Sequence, residues 1–227
     1  MLESGPLTVP DAITVEVVRE RGMSREGFLR VRHVELRNQY PDGSTSQPYE
    51  YFMVERTLLD AVAIVLYRET EAGPELLLRS QLRPPLAFRT HYEVPVPALG
   101  TGAVQWEIPA GLIELGERGE DGLFARASAE ALEEVGYVLA PTRFSMLGAA
   151  TSLSPGMIAE KLHFVCARIA SDDSLQPPEG DGHAVEEHSK SRWVSLPNVQ
   201  KALAEGLVHD IKTELALYRL RQRLGET

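Results

Sequence analysis

The chain has 227 residues, 43% of them hydrophobic and 25% charged, with a formal net charge of −10. This suits one ordinary globular domain with a small appended segment, long enough to bury a core. The acidic balance argues against general nucleic-acid or anionic-membrane binding, because phosphate surfaces reward clustered Lys and Arg. A phosphate-bearing substrate would need local compensation of charge, which bound divalent cations supply. Cys166 stands alone, so no intramolecular disulfide can form, and the apolar run HFVCA around it reads as a strand with a buried thiol. The sequence has no apolar run long enough to span a bilayer and no signal-peptide pattern at MLESGPLTVPD, so a soluble, cytoplasmic protein is expected.

Residues 13–18 (ITVEVV) and 28–37 (FLRVRHVELR) alternate apolar and polar side chains, the pattern of half-buried strands. A turn-forming stretch at 38–48, centred on Pro-Asp-Gly, leads to a third strand at 49–56. The run DAVAIVLYRE reads as a buried strand, and ELLLRSQLR follows it after a turn at Gly73 and Pro74. Prolines make 84–104 an irregular loop. The stretch WEIPAG precedes a helix expected at about 122–135; strands follow at 144–150 and 161–170. A second Gly- and Pro-rich loop covers 171–190, RWVSL is a short strand, and 197–224 forms one or two helices with Gly206 between them. In the last helix Ile211, Leu215 and Tyr218 fall on one face. A first segment, 1–56, is thus separate in character from the remainder, 57–227.

The stretch that carries chemistry is WEIPAGLIELGERGEDGLFARASAEALEEVGY, residues 106–137. Glu130, Glu133 and Glu134 stand at helical spacings that bring them to one face. Three carboxylates there repel one another, and two readings fit: a solvated acidic surface, or a site for a hard cation such as Mg²⁺ or Mn²⁺. The Gly-punctuated loop from Gly111 to Gly122 leads into the helix and suits the second reading, since glycine permits backbone paths that other residues resist.

Gly111, Glu117, Glu130, Ala131, Glu133, Glu134, Gly136 and Tyr137 resemble the signature of the Nudix hydrolases. WEIPAG is similar to the segment before that signature in ADP-ribose and nucleotide-sugar pyrophosphatases. SPGMIAEKLHFVCA and SQLRP resemble two further segments of the same subfamily, so the likeness spans roughly 50–220. It implies an α/β/α sandwich with a mixed sheet and an N-terminal antiparallel β segment that pairs across a homodimer. It implies Mg²⁺-dependent cleavage of the pyrophosphate bond of ADP-ribose or a nucleoside diphosphate sugar, Mn²⁺ being an alternative ion. By the same resemblance Glu130, Glu134 and the Ala110 carbonyl hold the metal, Glu133 is a ligand or supports one, and Glu117 orients the helix carboxylates. Glu186 or Glu187 on the 179–190 loop is the general base, Arg83 contacts substrate phosphate, and Pro155 and Gly156 shape a loop beside the substrate. His163 and His188 have no ligand spacing and are left structural or solvated.

Two departures stand out. Four extra residues lie around Gly119–Gly122, and Ala129 occupies the position of the signature's arginine. Arg126, one turn before Glu130, either supplies that guanidinium to Glu130 or Glu133 or is a plain surface residue. The departures keep open a second function, a catalytically weak domain that senses a nucleotide ligand.

Overall fold

The computed structural model describes residues 14–24, 27–96, 102–178, 185–186 and 189–225. The chain forms two compact units. The first comprises Met1–Thr57 and Ser154–Ala159, and the second Leu58–Leu153 and Glu160–Thr227.

In the first unit, β1 (Thr14–Ser24), β2 (Leu29–Gln39) and β3 (Tyr49–Arg56) form an antiparallel sheet in that order. β1 runs further than its alternation predicts, through register shifts between Val17 and Arg19 and between Glu20 and Gly22. Between β2 and β3, Gly43 takes a φ of 82° and Ser44 donates its N–H to Asp42 Oδ1 at 2.9 Å, the turn that Pro-Asp-Gly predicts. The 154–159 segment joins this unit through bonds from Val54 N–H to the Met157 carbonyl (2.8 Å) and from the Tyr51 hydroxyl to the Gly156 carbonyl (2.6 Å).

The second unit is a three-layer α/β/α arrangement. Its strands are β4 (Ala61–Thr70), β5 (Gly73–Leu82), β6 (Val104–Glu107), β7 (Ala110–Leu112), β8 (Ser145–Met146), β9 (Leu162–Arg168) and β10 (Ser191–Ser195). They run β10-β5-β4-β9-β8, with β6 on β5 and β7 on β4. Among the described residues, β4 and β9 pair in parallel and the other pairs are antiparallel, making the sheet mixed. The helices are α1 (Pro84–Ala87), α2 (Gly119–Val135), α3 (Leu196–Ala204) and α4 (Ile211–Leu224), and Phe88–His91 forms a 3₁₀ turn after α1.

Period-two alternation along β4 divides the core. Val62, Ile64 and Leu66 pack with Leu123, Ala127, Ala131 and Val135 of α2. Ala61, Ala63 and Val65 face the other way, with Leu196 and Val199 of α3 and Ala216, Leu217 and Leu220 of α4. Cys166 is a free, buried thiol in β9, as expected.

Three expectations shift. The strand at 144–150 shrinks to Ser145–Met146. The helix that carries the three glutamates starts at Gly119, not near 122, because the four extra residues wind into its first turn; Gly136 caps its end with a φ of 78°. On α4 Ile211 and Tyr218 point to solvent, at 61% and 59% exposure, while Leu215 is half-buried against the core. The stripe actually buried there is Lys212, Thr213, Ala216, Leu217 and Leu220. Among the described residues no helix is long and apolar enough to cross a membrane.

Candidate active site

β7, the loop after it and α2 bring four of the predicted residues together. Ala110 opens β7, which pairs with β4 through Ala63↔Ala110 and Val62↔Gly111. The Ala110 N–H donates to Glu134 Oε2 at 3.0 Å. One turn earlier on α2, Glu130 lies against Gly111: a Cβ on that glycine would sit 1.7 Å from Glu130 Oε1. The glycine is therefore required by close approach of a carboxylate to the strand backbone. Gly122 serves the loop in a similar way, since a Cβ there would meet the Glu117 carbonyl carbon at 2.5 Å.

The two α2 carboxylates share an unfavourable environment. Burial first, then Glu133 beside it, pushes the Glu130 carboxyl up to about 7, against the pull of Arg126. Burial likewise pushes Glu134 up to about 8, although Arg79 draws it down. Negative charge is thus in excess at a site built from oxygen donors, the condition that a hard dication relieves.

Arg79 was not singled out by sequence, yet it organises this cluster. It is 2% exposed and lies two residues beyond Leu77, on the sheet face that packs against α2. Its Nη1 pairs with Glu134 Oε1, and it lies 3.3 Å from Glu186 Oε1. Its Nε donates to Ser189 Oγ at 3.3 Å, and Ser189 in turn donates to the Ser80 carbonyl at 2.6 Å. Glu186, a predicted base, is thereby held to the same guanidinium as the helix carboxylate Glu134. The available signal was a lone arginine at an inward position of an apolar strand, which demands an acidic partner.

Arg126 also has a defined place. Its Nε donates to both oxygens of Glu117 at 3.1 Å, and its Nη1 is 3.7 Å from Glu130. The strongest bonds go to Glu117 in the loop rather than to the helix carboxylates that spacing predicts. Glu117 also accepts from the Glu114 N–H at 2.8 Å, so the loop is closed on itself and tied to the helix.

Arg83 forks onto Glu107: Nε donates to Oε2 at 3.1 Å and Nη2 to Oε1, while the Arg83 side chain stays 41% exposed. Pro155 and Gly156 belong to the first unit and are both exposed. Glu187 and His188 lie outside the described residues. His163 stands 3.6 Å from Asp60. Among the described residues no group of three or more His, Cys, Asp or Glu side chains converges as a metal cluster; arginines occupy the carboxylates instead. The donor chemistry of Glu130 and Glu134 nevertheless fits a hard cation, through their oxygen donors, their burial and their mutual repulsion.

No protein-family model matches the chain, and no curated protein matches it. Its mixed α/β architecture with the three-stranded N-terminal sheet is shared with a solved structure described as an ADP compounds hydrolase. The TM-score is 0.59 and the identity 21%, over 98% of this chain and 97% of that one. The structure of a C. elegans Ap4A hydrolase in a binary complex aligns at a TM-score of 0.42 and 17% identity, over 73% of this chain and 98% of that one, a likeness that does not establish a common fold.

Proposed function

We propose that the protein is a Nudix-type hydrolase that cuts the pyrophosphate bond of ADP-ribose or a nucleoside diphosphate sugar, releasing a nucleoside monophosphate and a sugar phosphate. The observation that carries this reading is the pair of buried carboxylates, Glu130 and Glu134, one helical turn apart against the backbone of Gly111 and Ala110. The fold shared with an ADP compounds hydrolase supports it.

Glu130, Glu134 and the Ala110 carbonyl would hold Mg²⁺, or Mn²⁺ in its place. Such an ion would neutralise charge on the pyrophosphate and make water a better nucleophile. The chain's own groups do the rest. Glu133 adds to the negative potential at Glu130. Arg126 and Glu117 fix the loop that enters the helix. Arg83 offers a half-exposed guanidinium to a substrate phosphate. Glu186 is the favoured proton acceptor for the attacking water, because Arg79 holds its carboxylate and that of Glu134 on one guanidinium. Glu187 is the alternative base.

The ligand-sensor alternative rests on Ala129 and the extra turn. Arg126 supplies a guanidinium to Glu117 and Glu130 despite both, which favours the enzyme. We further propose a cytoplasmic homodimer formed through the N-terminal sheet. The test is a panel of ADP-ribose and nucleotide sugars with Mg²⁺, read as phosphate released by added phosphatase. Hydrolysis of at least one to a monophosphate is expected; no turnover of any with Mg²⁺ or Mn²⁺ would remove the assignment.

A further inference from the structure

The N-terminus of α4 carries a lysine buried among carboxylates, which the chemistry above does not use. Lys212 is 8% exposed. Its Nζ lies 3.1 Å from Glu107 Oε2 and 2.9 Å from Asp210 Oδ2. Asp210 is the helix cap, accepting the Thr213 N–H at 3.0 Å and the Thr213 hydroxyl at 2.7 Å. Thr213 Oγ1 accepts the Ile108 N–H at 2.9 Å, so α4 is bonded directly to the chain beside Glu107.

Glu107 is 2% exposed and is surrounded by donors: Lys212, the Arg83 fork, and Gln105 Nε2 at 3.0 Å. Burial alone would raise its carboxyl, but Lys212 and then Arg83 outweigh that and hold it below the usual range. Two cations and two carboxylates balance in this cluster, and Arg83 is its half-exposed member. Among the described residues, the fork on Glu107 engages two of the five N–H donors of that guanidinium, and three remain for an anion.

We propose that Lys212 is a positioning residue for phosphate recognition: it fixes Glu107 so that Glu107 presents the Arg83 guanidinium, rigidly oriented, to a diphosphate group of the substrate. The inference rests on the reading of Arg83 as the phosphate-contacting arm. An unsupported Arg83 on a flexible stem would have to be ordered on each encounter; the Lys212–Glu107 pair does that in advance.

The experiment is a double-mutant cycle read by calorimetric binding of ADP with Mg²⁺, alongside kinetics with ADP-ribose. Lys212→Met is expected to weaken ADP binding about tenfold and to raise KM for ADP-ribose more than it lowers kcat. Lys212→Arg should restore most of the loss. In an Arg83→Ala background, Lys212→Met should change binding no further, because its effect runs through that guanidinium. If Lys212→Met fails to fold, Glu107→Gln carries the same cycle, since it removes the charge through which Lys212 acts and keeps the shape. Equal losses in both Arg83 backgrounds would make Lys212 merely structural and overturn the proposal, as would wild-type protein that binds no ADP. Wild type that binds ADP with this pattern but hydrolyses neither ADP-ribose nor nucleotide sugars would uphold the positioning role while ending the hydrolase assignment.

Discussion

Arg126 donates to both carboxylate oxygens of Glu117 at 3.1 Å and stands 3.7 Å from Glu130, so one guanidinium ties the entry loop to the carboxylate helix. It does so from one turn before Ala129. Arg126→Ala releases Glu117 and its loop from the helix, so the Glu130 carboxylate loses the contact that holds it in place. Apparent Mg²⁺ affinity is expected to fall about tenfold or more, with lower kcat. Adding Ala129→Arg should recover part of the loss. Unchanged turnover of Arg126→Ala at limiting Mg²⁺ would reduce Arg126 to a surface residue.

Gly111 and Gly116 provide a matched pair of substitutions. A Cβ at Gly111 would sit 1.7 Å from Glu130 Oε1, whereas one at Gly116 meets nothing within 4 Å. Gly111→Ala must displace the Glu130 carboxylate, costing on the order of 1–3 kcal/mol in the fold and roughly 100-fold in rate if Glu130 holds the metal. Gly116→Ala should be close to neutral by both thermal unfolding and turnover. Similar behaviour of the two variants would show that Glu130 is free to lie elsewhere.

The elevated carboxyls set a pH dependence. A group whose folded pKa is raised stabilises the fold fully below its unfolded value and loses that contribution as pH climbs through the folded one. For Glu130 that window runs from 4.5 to about 7, and for Glu134 from 4.5 to about 8. The metal-free protein should therefore lose stability across this range, Glu130 alone contributing on the order of 3 kcal/mol. Mg²⁺ binds the ionised forms, so the increase in Tm that it produces should grow with pH over the same window. A Tm independent of pH, with and without Mg²⁺, would contradict the burial of these groups.

Much of this was readable from local pattern. Alternation in 28–37 located β2, apolar runs in 60–69 and 75–83 on either side of a turn located β4 and β5, and helical spacing placed Glu130, Glu133 and Glu134 on one surface, because these patterns follow from local backbone geometry. What escaped depends on contacts distant in sequence. The role of Arg79 exists only once β5, α2 and the segment holding Glu186 meet. The apolar face formed by Ile211, Leu215 and Tyr218 matches the buried stripe of α4 only at Leu215, because two members of that stripe, Lys212 and Thr213, are polar. They are buried only because Glu107, Asp210 and the Ile108 N–H satisfy them, while Ile211 and Tyr218 face solvent.

The N-terminal sheet has an unequal exposure that a partner would cover. His33 stacks on Phe52 at 4.1 Å, and Leu29, Val31 and Phe52 on that face are 42%, 46% and 58% exposed. Apolar side chains left this exposed on one face favour a covering partner. Deleting residues 1–48 removes β1 and β2 and is expected to give a monomer or an aggregating protein by light scattering. A soluble, fully active dimer after the deletion would eliminate this sheet as the dimer interface.

The central claim is that the α2 carboxylates hold the ion that makes pyrophosphate cleavage possible, and Glu134→Gln tests it most directly. The substitution keeps the side chain's shape and an acceptor for the Ala110 N–H, which is 3.0 Å away, while removing the charge. ADP-ribose hydrolysis with saturating Mg²⁺ should fall roughly 100-fold or more, with the fold intact by circular dichroism, and EDTA should abolish wild-type turnover. Near-normal turnover by Glu134→Gln, or full wild-type activity in EDTA, would contradict the account.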